Sequence, residues 1–375
     1  MKKILITGGA GFIGSRLCEK LFDLGYYITV LDNLSPQIHG NTESALYKRI
    51  KKKCIFIKGD VRNLDDWKQA IKGQEIIVHL AAETGTGQSM YESKKYNDVN
   101  VMGTSYMFDI LSSFKNNVQK IIVASSRAVY GEGKYFCSVH NEVYPNKRSE
   151  LDIKKGEFNL KCDICGSDLE LLATDEESRL NPLSVYAKTK QQQEEMVMLR
   201  GETLEIPTVV FRYQNVYGPG QSLSNPYTGI MSIFSTSILN GNDLDIYEDG
   251  LESRDFVYIE DAVDATILGI ESKEANGQIF NVGSGIAITV KEVAEYLKKY
   301  YVANISISVS GKYRIGDIRH NYADLSKTEA VLGFIPKYHF KKGISKFVKW
   351  VKGQDIMEDK YKESILELKK NGLIR

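Results

Sequence analysis

The chain is predicted to be α/β, a doubly wound parallel sheet with a smaller C-terminal α/β domain and a small Cys/His insertion. Three observations predict this. Short apolar runs alternate with helical patterns through the first half of the sequence. A glycine-rich loop joins the first run to the first helix. Two Cys/His knuckles interrupt the alternation between residues 134 and 175. Repeated strand–helix alternation is the mark of a parallel sheet covered by helices on both faces.

Lys3 to Thr7 is an apolar run of strand length. Gly8-Gly9-Ala10-Gly11-Phe12-Ile13-Gly14 follows. A helical pattern comes next, with Leu17, Leu21 and Leu24 on one face and Gly25 as its stop. Tyr27 to Leu31 is a second strand, ending at Asp32. Gly8 permits a tight turn. Gly11 lets the backbone approach a pyrophosphate at a helix N-terminus, where free N–H groups and the dipole favour an anion. Gly14 allows close helix–strand packing. Asp32 stands 18 residues past Gly14, near the roughly 20 expected of a carboxylate that binds the adenosine ribose. The glycine spacing is G-x-x-G-x-x-G. Set between strand and helix, with the acid in register, it predicts a Rossmann dinucleotide site. Phe12, Ile13 and Asn33 are counted in that site. Asp32 favours NAD over NADP, because a carboxylate repels a 2′-phosphate.

Further strands are read at Cys54–Ile57, Glu75–Leu80 and Lys120–Ala124, with helices around Tyr96–Phe114 and Ser184–Arg200. Ligands of such sheets sit beyond the carboxyl ends of the strands. Asp60-Val61, Leu80-Ala81-Ala82 and Ser125-Ser126 are therefore expected to line one crevice. Residues 134–175 are polar and without a strong period. Thr208–Phe211 is another apolar strand, and Leu223 to Tyr227 reads as a turn-rich binding loop. The tail from Ile356 to Arg375 reads as a charged amphipathic helix, solvated or at an interface. The expected divisions are 1–218 for the dinucleotide-binding domain with its insertion, 219–355 for a partly interleaved second domain, and 356–375 for the tail.

A chain of 375 residues suggests two domains or one large one at roughly 150 residues each. The 49 basic and 48 acidic residues leave a net charge of +1. That balance gives no general field for nucleic acid or an anionic membrane, so neither is expected as a partner. No apolar stretch approaches the roughly 18 residues of a membrane span. After Met1-Lys2-Lys3 the apolar run is only Ile4-Leu5-Ile6, too short for a secretory signal. A cytoplasmic protein is expected.

Tyr186 and Lys190 lie four apart, on one face of a helix. An ammonium near a phenol, together with an oxidised nicotinamide, favours the phenolate and lowers its pKa from about 10 toward neutrality. Ser126, at the end of a strand, could hydrogen-bond the same substrate oxygen.

The insertion carries Cys137-Ser138-Val139-His140 and Cys162-Asp163-Ile164-Cys165-Gly166. Two such knuckles match the spacing of a zinc ribbon, and Cys137, His140, Cys162 and Cys165 would form a closed structural zinc site. A disulfide, or a redox pair at Cys162/Cys165, is the alternative. A disulfide is disfavoured in a reducing cytoplasm. Lying between Ser126 and Tyr186, the insertion is expected beside the active site, where it could act as a specificity lid.

Seven motifs carry a resemblance that spans nearly the whole chain. They are Thr7 to Gly14, His79-Leu80-Ala81-Ala82, Asn100-Val101-Met102-Gly103-Thr104, Ser125 to Gly131, Tyr186 to Lys190, Arg212 to Pro219, and Arg254-Asp255-Phe256-Val257. The chain resembles the extended short-chain dehydrogenases/reductases of the nucleotide-sugar epimerase/dehydratase family. That resemblance implies an NAD cofactor, a nucleotide-diphosphate sugar substrate and a homodimer built on the two helices around Tyr96–Phe114 and Ser184–Arg200, whose apolar residues could equally be core. It makes Ser126, Tyr186 and Lys190 the catalytic triad and adds Asn100 to the cofactor site. It gives Asn215, Arg254 and Arg314 to the diphosphate, and Glu83, Thr84, Ser126 and Arg127 to the substrate. Asn215 could instead cap a turn, and the arginines could be surface groups.

One position separates branches of the family. Its 4,6-dehydratases carry Thr-Asp-Glu where this chain has Ser126-Arg127-Ala128. Neither Arg nor Ala can replace an acid–base carboxylate pair, so dehydration is disfavoured, and decarboxylation with it. Chemistry at one carbon remains, and that is 4-epimerization. The stretches Ala82–Glu92 and Tyr213–Gly229, and the insertion itself, resemble the dTDP-L-rhamnose 4-epimerase-like subgroup. The alternatives are a nucleotide-4-keto-sugar reductase, another NAD(P)-dependent nucleotide-sugar modifying enzyme such as a dehydratase, and a redox-inactive nucleotide binder.

Overall fold

The computed structural model describes residues 2–40, 44–227 and 229–374. Met1, Thr228 within the stretch Tyr213–Gly229, and Arg375 at the end of the tail lie outside the described residues.

Among the described residues a central sheet holds seven strands, β1 (Lys3–Thr7), β2 (Tyr27–Asp32), β3 (Ile55–Lys58), β4 (Ile76–His79), β5 (Lys120–Ser126), β6 (Thr208–Tyr213) and β7 (Gln278–Val282). Their spatial order is β7-β6-β5-β4-β1-β2-β3. Every pairing is parallel. The chain winds outward from β1 to β3, then crosses back to β4 on the other side of β1. The point of reversal opens a crevice at the carboxyl ends of β1 and β4, where such folds bind ligands.

Both faces of the sheet are covered, which explains the unbroken apolar strands. Ile4 and Ile6 pack with Leu17, Leu21 and Ile28 on one side. Leu5 packs with Leu31, Trp67 and Ile77 on the other. Helix α1 (Phe12–Asp23) lays Leu17 and Leu21 on the sheet, but it stops one residue before Leu24, which is exposed. The expected helix at Tyr96–Phe114 is composite. A turn at Ser93–Tyr96 and a π-helical stretch at Asn97–Met102 lead into α2 (Gly103–Ser113). π-helical turns are frequent at functional sites, and this one holds Asn100. Helix α3 (Val185–Thr203) starts at Ser184, whose Oγ accepts the Ala187 N–H at 3.1 Å.

The second half of the chain is interleaved with the first, since β7 completes the first sheet. A smaller sheet joins Asn215–Tyr217, Ser253–Tyr258, Ala287–Thr289 and His320–Asn321. Two sequence expectations change here. The insertion is not irregular throughout, because Tyr135–Cys137 pairs with Asn141–Val143 and with Glu170–Leu171. These strands are too short for a sequence period to show. The tail is not a separate unit either. Its helix Tyr361–Lys370 folds back, Leu368 and Ile374 are buried, and the Ile315 N–H donates to the Leu373 carbonyl at 2.9 Å. Among the described residues, no helix is long and apolar enough to cross a membrane.

Candidate active site

The glycine loop is a cradle that side chains would fill. Gly8 has φ +68°, and a Cβ there would lie 2.7 Å from the Ala81 nitrogen. A Cβ on Gly14 would lie 2.3 Å from the Gly8 carbonyl oxygen. Gly11 starts α1 with extended backbone and no side-chain cap. The first N–H groups of α1, from Phe12, Ile13 and Gly14, therefore carry the positive end of the helix dipole toward the loop. Asp32 Oδ2 accepts the Ala10 N–H at 3.0 Å and Oδ1 accepts the Leu34 N–H at 2.8 Å. Burial raises the Asp32 pKa. His39 opposes that rise, its Nε2 standing 3.8 Å from Oδ1. Sequence reasoning missed His39, which no motif marks.

Asn33 Nδ2 donates to Asp60 at 3.0 Å, and Arg62 holds the same carboxylate at 2.8 and 2.9 Å. Burial pushes the Asp60 pKa up, but these bonds outweigh it and hold it at about 2. Val61 is buried and its carbonyl accepts the Trp67 indole N–H at 2.8 Å. Leu80 and Ala81 are tied to Thr7, at 3.1 Å to its carbonyl and 3.2 Å to its hydroxyl, which leads Ala82 past the crevice. A loop that only glycine permits, an uncapped helix start and an acid at the second strand together fit NAD. Asn100 lines the crevice between Glu83 and α3. It is fully buried, and its amide clamps the Glu83 backbone at 2.9 and 3.1 Å and Thr189 at 3.0 Å. It shapes the crevice from behind.

The end of β5 and the start of α3 bring Ser126 and Tyr186 side by side, the serine hydroxyl near enough to pull the phenol's pKa down. Ser126 Oγ also accepts the Ala128 N–H at 3.2 Å. The ring of Tyr96 stands edge-on to Tyr186 at 6.4 Å. Burial raises the Tyr186 pKa, while Ser126 and the Arg127 guanidinium pull it down. Lys190 is not among the groups that act on this phenol. The Lys190 ammonium turns instead to the Ala124 carbonyl and to Gln193 Oε1, both at 2.8 Å. Burial lowers the Lys190 pKa to about 7.

Glu83 is ion-paired with Lys95 at 3.2 Å, and the Thr84 carbonyl accepts the Tyr96 hydroxyl at 2.6 Å. Arg127 Nε donates to Asn215 Oδ1 at 3.4 Å. Arg254 is held by the carbonyls of Ser253, Ile318 and Arg319 at 2.7 to 3.0 Å. Arg314 lies over the Tyr247 ring at 5.3 Å and beside Tyr361, and its buried Nε has no partner. Asp317 acts on both Arg127 and Arg314. Among the described residues, none of the three arginines makes an ion pair within 4.0 Å. Grouped guanidinium forks short of carboxylates suit an anionic diphosphate.

In the insertion, Cys137, His140, Cys162 and Cys165 turn their ligand atoms to within 4.8 Å of one another. Cys137 Sγ is 3.6 Å from Cys165 Sγ, and His140 Nδ1 is 3.5 Å from Cys162 Sγ and 3.6 Å from Cys137 Sγ. Zn–S and Zn–N bonds of about 2.3 and 2.05 Å in a tetrahedron place S–S near ~3.8 Å and S–N near ~3.6 Å. The cluster fits zinc, and its cysteines are unbridged.

Residues 4–155 and 162–283 match the NAD dependent epimerase/dehydratase family, with the gap in the match falling inside the insertion. The chain belongs to that family. It is an enzyme, an NAD-dependent nucleotide-sugar epimerase. The dTDP-L-rhamnose 4-epimerase of Burkholderia thailandensis is similar at 37% identity, over 93% of this chain and 95% of that one. A UDP-N-acetylglucosamine 4-epimerase from Methanobrevibacter ruminantium M1, solved with UDP-N-acetylmuramic acid, shares the fold with TM-score 0.75 and 29% identity, over 94% and 99% of the two chains. The UDP-glucose 4-epimerase of Thermotoga maritima, solved with UDP-glucose, gives TM-score 0.74 and 25% identity over the same shares.

Proposed function

We propose that this epimerase inverts C4 of a nucleoside-diphosphate deoxyhexose, with dTDP-L-rhamnose as the leading substrate. The observation that carries the reading is the pairing of Ser126 with Tyr186 in a site where Arg127 and Ala128 stand in place of an acid–base carboxylate pair. The nearby acids are engaged elsewhere, Glu83 by Lys95 and Glu132 by the Arg319 N–H. Elimination of water has no acid–base carboxylate pair at those two positions. The 37% relative supports the sugar and the nucleotide.

NAD, bound through the glycine loop and Asp32, would supply reversible hydride acceptance at the sugar carbon. The rest of the chemistry belongs to the chain. Tyr186 takes the C4 hydroxyl proton and gives it back after the keto sugar has turned over. Ser126 holds the same oxygen. Arg127 lowers the phenol pKa and meets the diphosphate end through Asn215. Arg254 and Arg314 keep the diphosphate fixed, so that the sugar alone rotates.

A panel of dTDP-, UDP-, GDP- and CDP-sugars followed by NMR tests this reading. Inversion at C4 of a dTDP-deoxyhexose is expected, and no inversion of any sugar overturns it. A 4-keto-sugar reductase would release its cofactor every turnover, whereas an epimerase retains NAD, visible in the absorbance of the purified protein.

Cys137, His140, Cys162 and Cys165 hold a structural zinc in this reading, supported by their spacing and by the sulfur and nitrogen separations. One zinc per chain by elemental analysis, lost in Cys162→Ser, is expected. Metal-free protein with an ordered insertion rejects it. A homodimer through α2 and α3 is also proposed, supported by the exposed Met102 at the end of the π-helical stretch before α2 and the exposed Leu199 on α3; light scattering of the purified protein decides it.

A further inference from the structure

We propose that the Cys/His insertion supplies two positioning residues, Arg148 and Asn159, that hold the diphosphate arginines in place. This rests on the reading of Arg254 and Arg314 as diphosphate ligands. Both new residues lie in the loop between the knuckles, away from the proposed chemistry.

The diphosphate arginines share one support. Arg314 is the first residue of the segment 314–319. Arg254 leans on the other end of that segment, bonding the carbonyls of Ile318 at 2.7 Å and Arg319 at 3.0 Å. Wherever this segment sits, both guanidinium groups follow.

The insertion and its stem grip the segment at three points. Arg148 Nη2 donates to the Asp317 carbonyl at 2.9 Å. Asn159 Oδ1 accepts from the Arg319 guanidinium at 3.0 and 3.1 Å. Glu132, at the foot of the insertion, accepts the Arg319 N–H at 2.6 Å.

The grip is built from buried charge. Arg148 makes a two-pronged bond to Glu248 at 2.7 and 2.8 Å. Arg319 reaches Glu248 at 3.1 Å and Asp249 at 2.6 and 2.7 Å. The side chains of Arg148, Glu132, Glu248 and Arg319 are each no more than 5% exposed. Buried charges must stay near their partners, so the network favours one geometry even where its net energy is small.

The knuckles set where the gripping residues stand. Asn146, two residues before Arg148, bonds through its N–H and its amide to Asp163 at 2.9 and 3.1 Å. Asp163 lies between Cys162 and Cys165, and Asn159 lies three residues before Cys162. The insertion thus braces the diphosphate site from behind. That differs from a lid over the sugar, because its contacts go to Glu248, Asp317 and Arg319.

The test uses the full-length, metal-loaded protein and two probes, dTDP and NAD, measured by calorimetry. Asn159→Ala removes a neutral contact and should leave the fold intact. It is expected to weaken dTDP about tenfold, since a small displacement of a binding group costs up to ~100-fold, with NAD affinity unchanged. Arg148→Lys keeps the charge but loses the fork and the Asp317 bond, and is expected to do the same. In turnover both raise KM and leave kcat within about threefold, well short of the ~100-fold loss of a proton-transfer group. Equal weakening of dTDP and NAD, or unchanged dTDP affinity in both variants, overturns the proposal. Wild-type protein that binds neither dTDP nor UDP overturns the nucleotide-sugar reading itself, which the variants do not address.

Discussion

The guanidinium of Arg127 is the cation that bears on the hydroxyl of Tyr186, and it works against the burial that raises the phenol's pKa. Burial, and after it the neighbouring Arg254, pushes the Arg127 pKa below the usual guanidinium range. In the proposed reading, the residue that stands where the dehydratases have an acid thus also tunes the phenol that takes the proton.

Arg127→Met should therefore shift the pH dependence of turnover. Tyr186 must be ionised to accept a proton. Loss of a nearby positive charge raises its pKa, so the variant is depressed at pH 7 and recovers toward higher pH. A pH–kcat profile with its acidic limb moved upward is the expected result, and an unmoved limb refutes the coupling.

Tyr186→Phe keeps the ring against Tyr96 and removes the proton carrier. Turnover should fall at least ~100-fold, the lower range for loss of general acid–base catalysis. NAD should stay bound, so the spectrum of the purified variant checks folding and chemistry together. Near wild-type turnover would refute the role.

The cofactor cradle offers two independent losses. Asp32→Ala removes a charged acceptor, each of whose hydrogen bonds contributes about 1.5–3 kcal/mol, and should weaken NAD accordingly. Gly14→Ala sets a methyl group 2.3 Å from the Gly8 carbonyl and 2.7 Å from the Gly9 Cα. Backbone cannot yield as a flexible side chain does, so NAD binding and thermal stability should fall together. Unchanged NAD affinity in both variants would remove the site.

His79 makes the fold acid-sensitive. It is fully buried between Thr7 and Thr104, at 2.7 and 3.0 Å, and burial, with Lys190 adding to it, lowers its pKa to about 3. The unfolded chain then binds a proton below about 6.5 that the folded chain refuses, so stability falls as pH falls from there toward 3. Between pH 6.5 and 5 this costs about 2 kcal/mol. Urea titrations at both pH values should show a steeper acid loss for wild type than for His79→Gln, and equal slopes would count against it.

Local spacing made much of this protein legible in its sequence. The run from Lys3 to Asp32 dictates strand, glycine turn, helix and strand, because each step is decided by neighbours within four residues or by what only glycine can do. The four residues of the Cys/His cluster were legible too, since a knuckle is a local object. Tertiary structure decided what depends on distant partners. Lys190 sits at the right spacing from Tyr186, yet its ammonium goes to Ala124 and Gln193 because burial leaves it those acceptors. Asn100 sits in a motif, yet the fold spends its amide on Glu83 and Thr189. The tail reads as a charged helix, solvated or at an interface, but only the closed chain buries Leu368 and Ile374 and brings the Leu373 carbonyl to the Ile315 N–H. Arg148 and Asn159 carry no pattern at all. Their meaning comes from Asp317 and Arg319, some 160 positions later, because burying a charge forces it to find a partner wherever the fold has brought one.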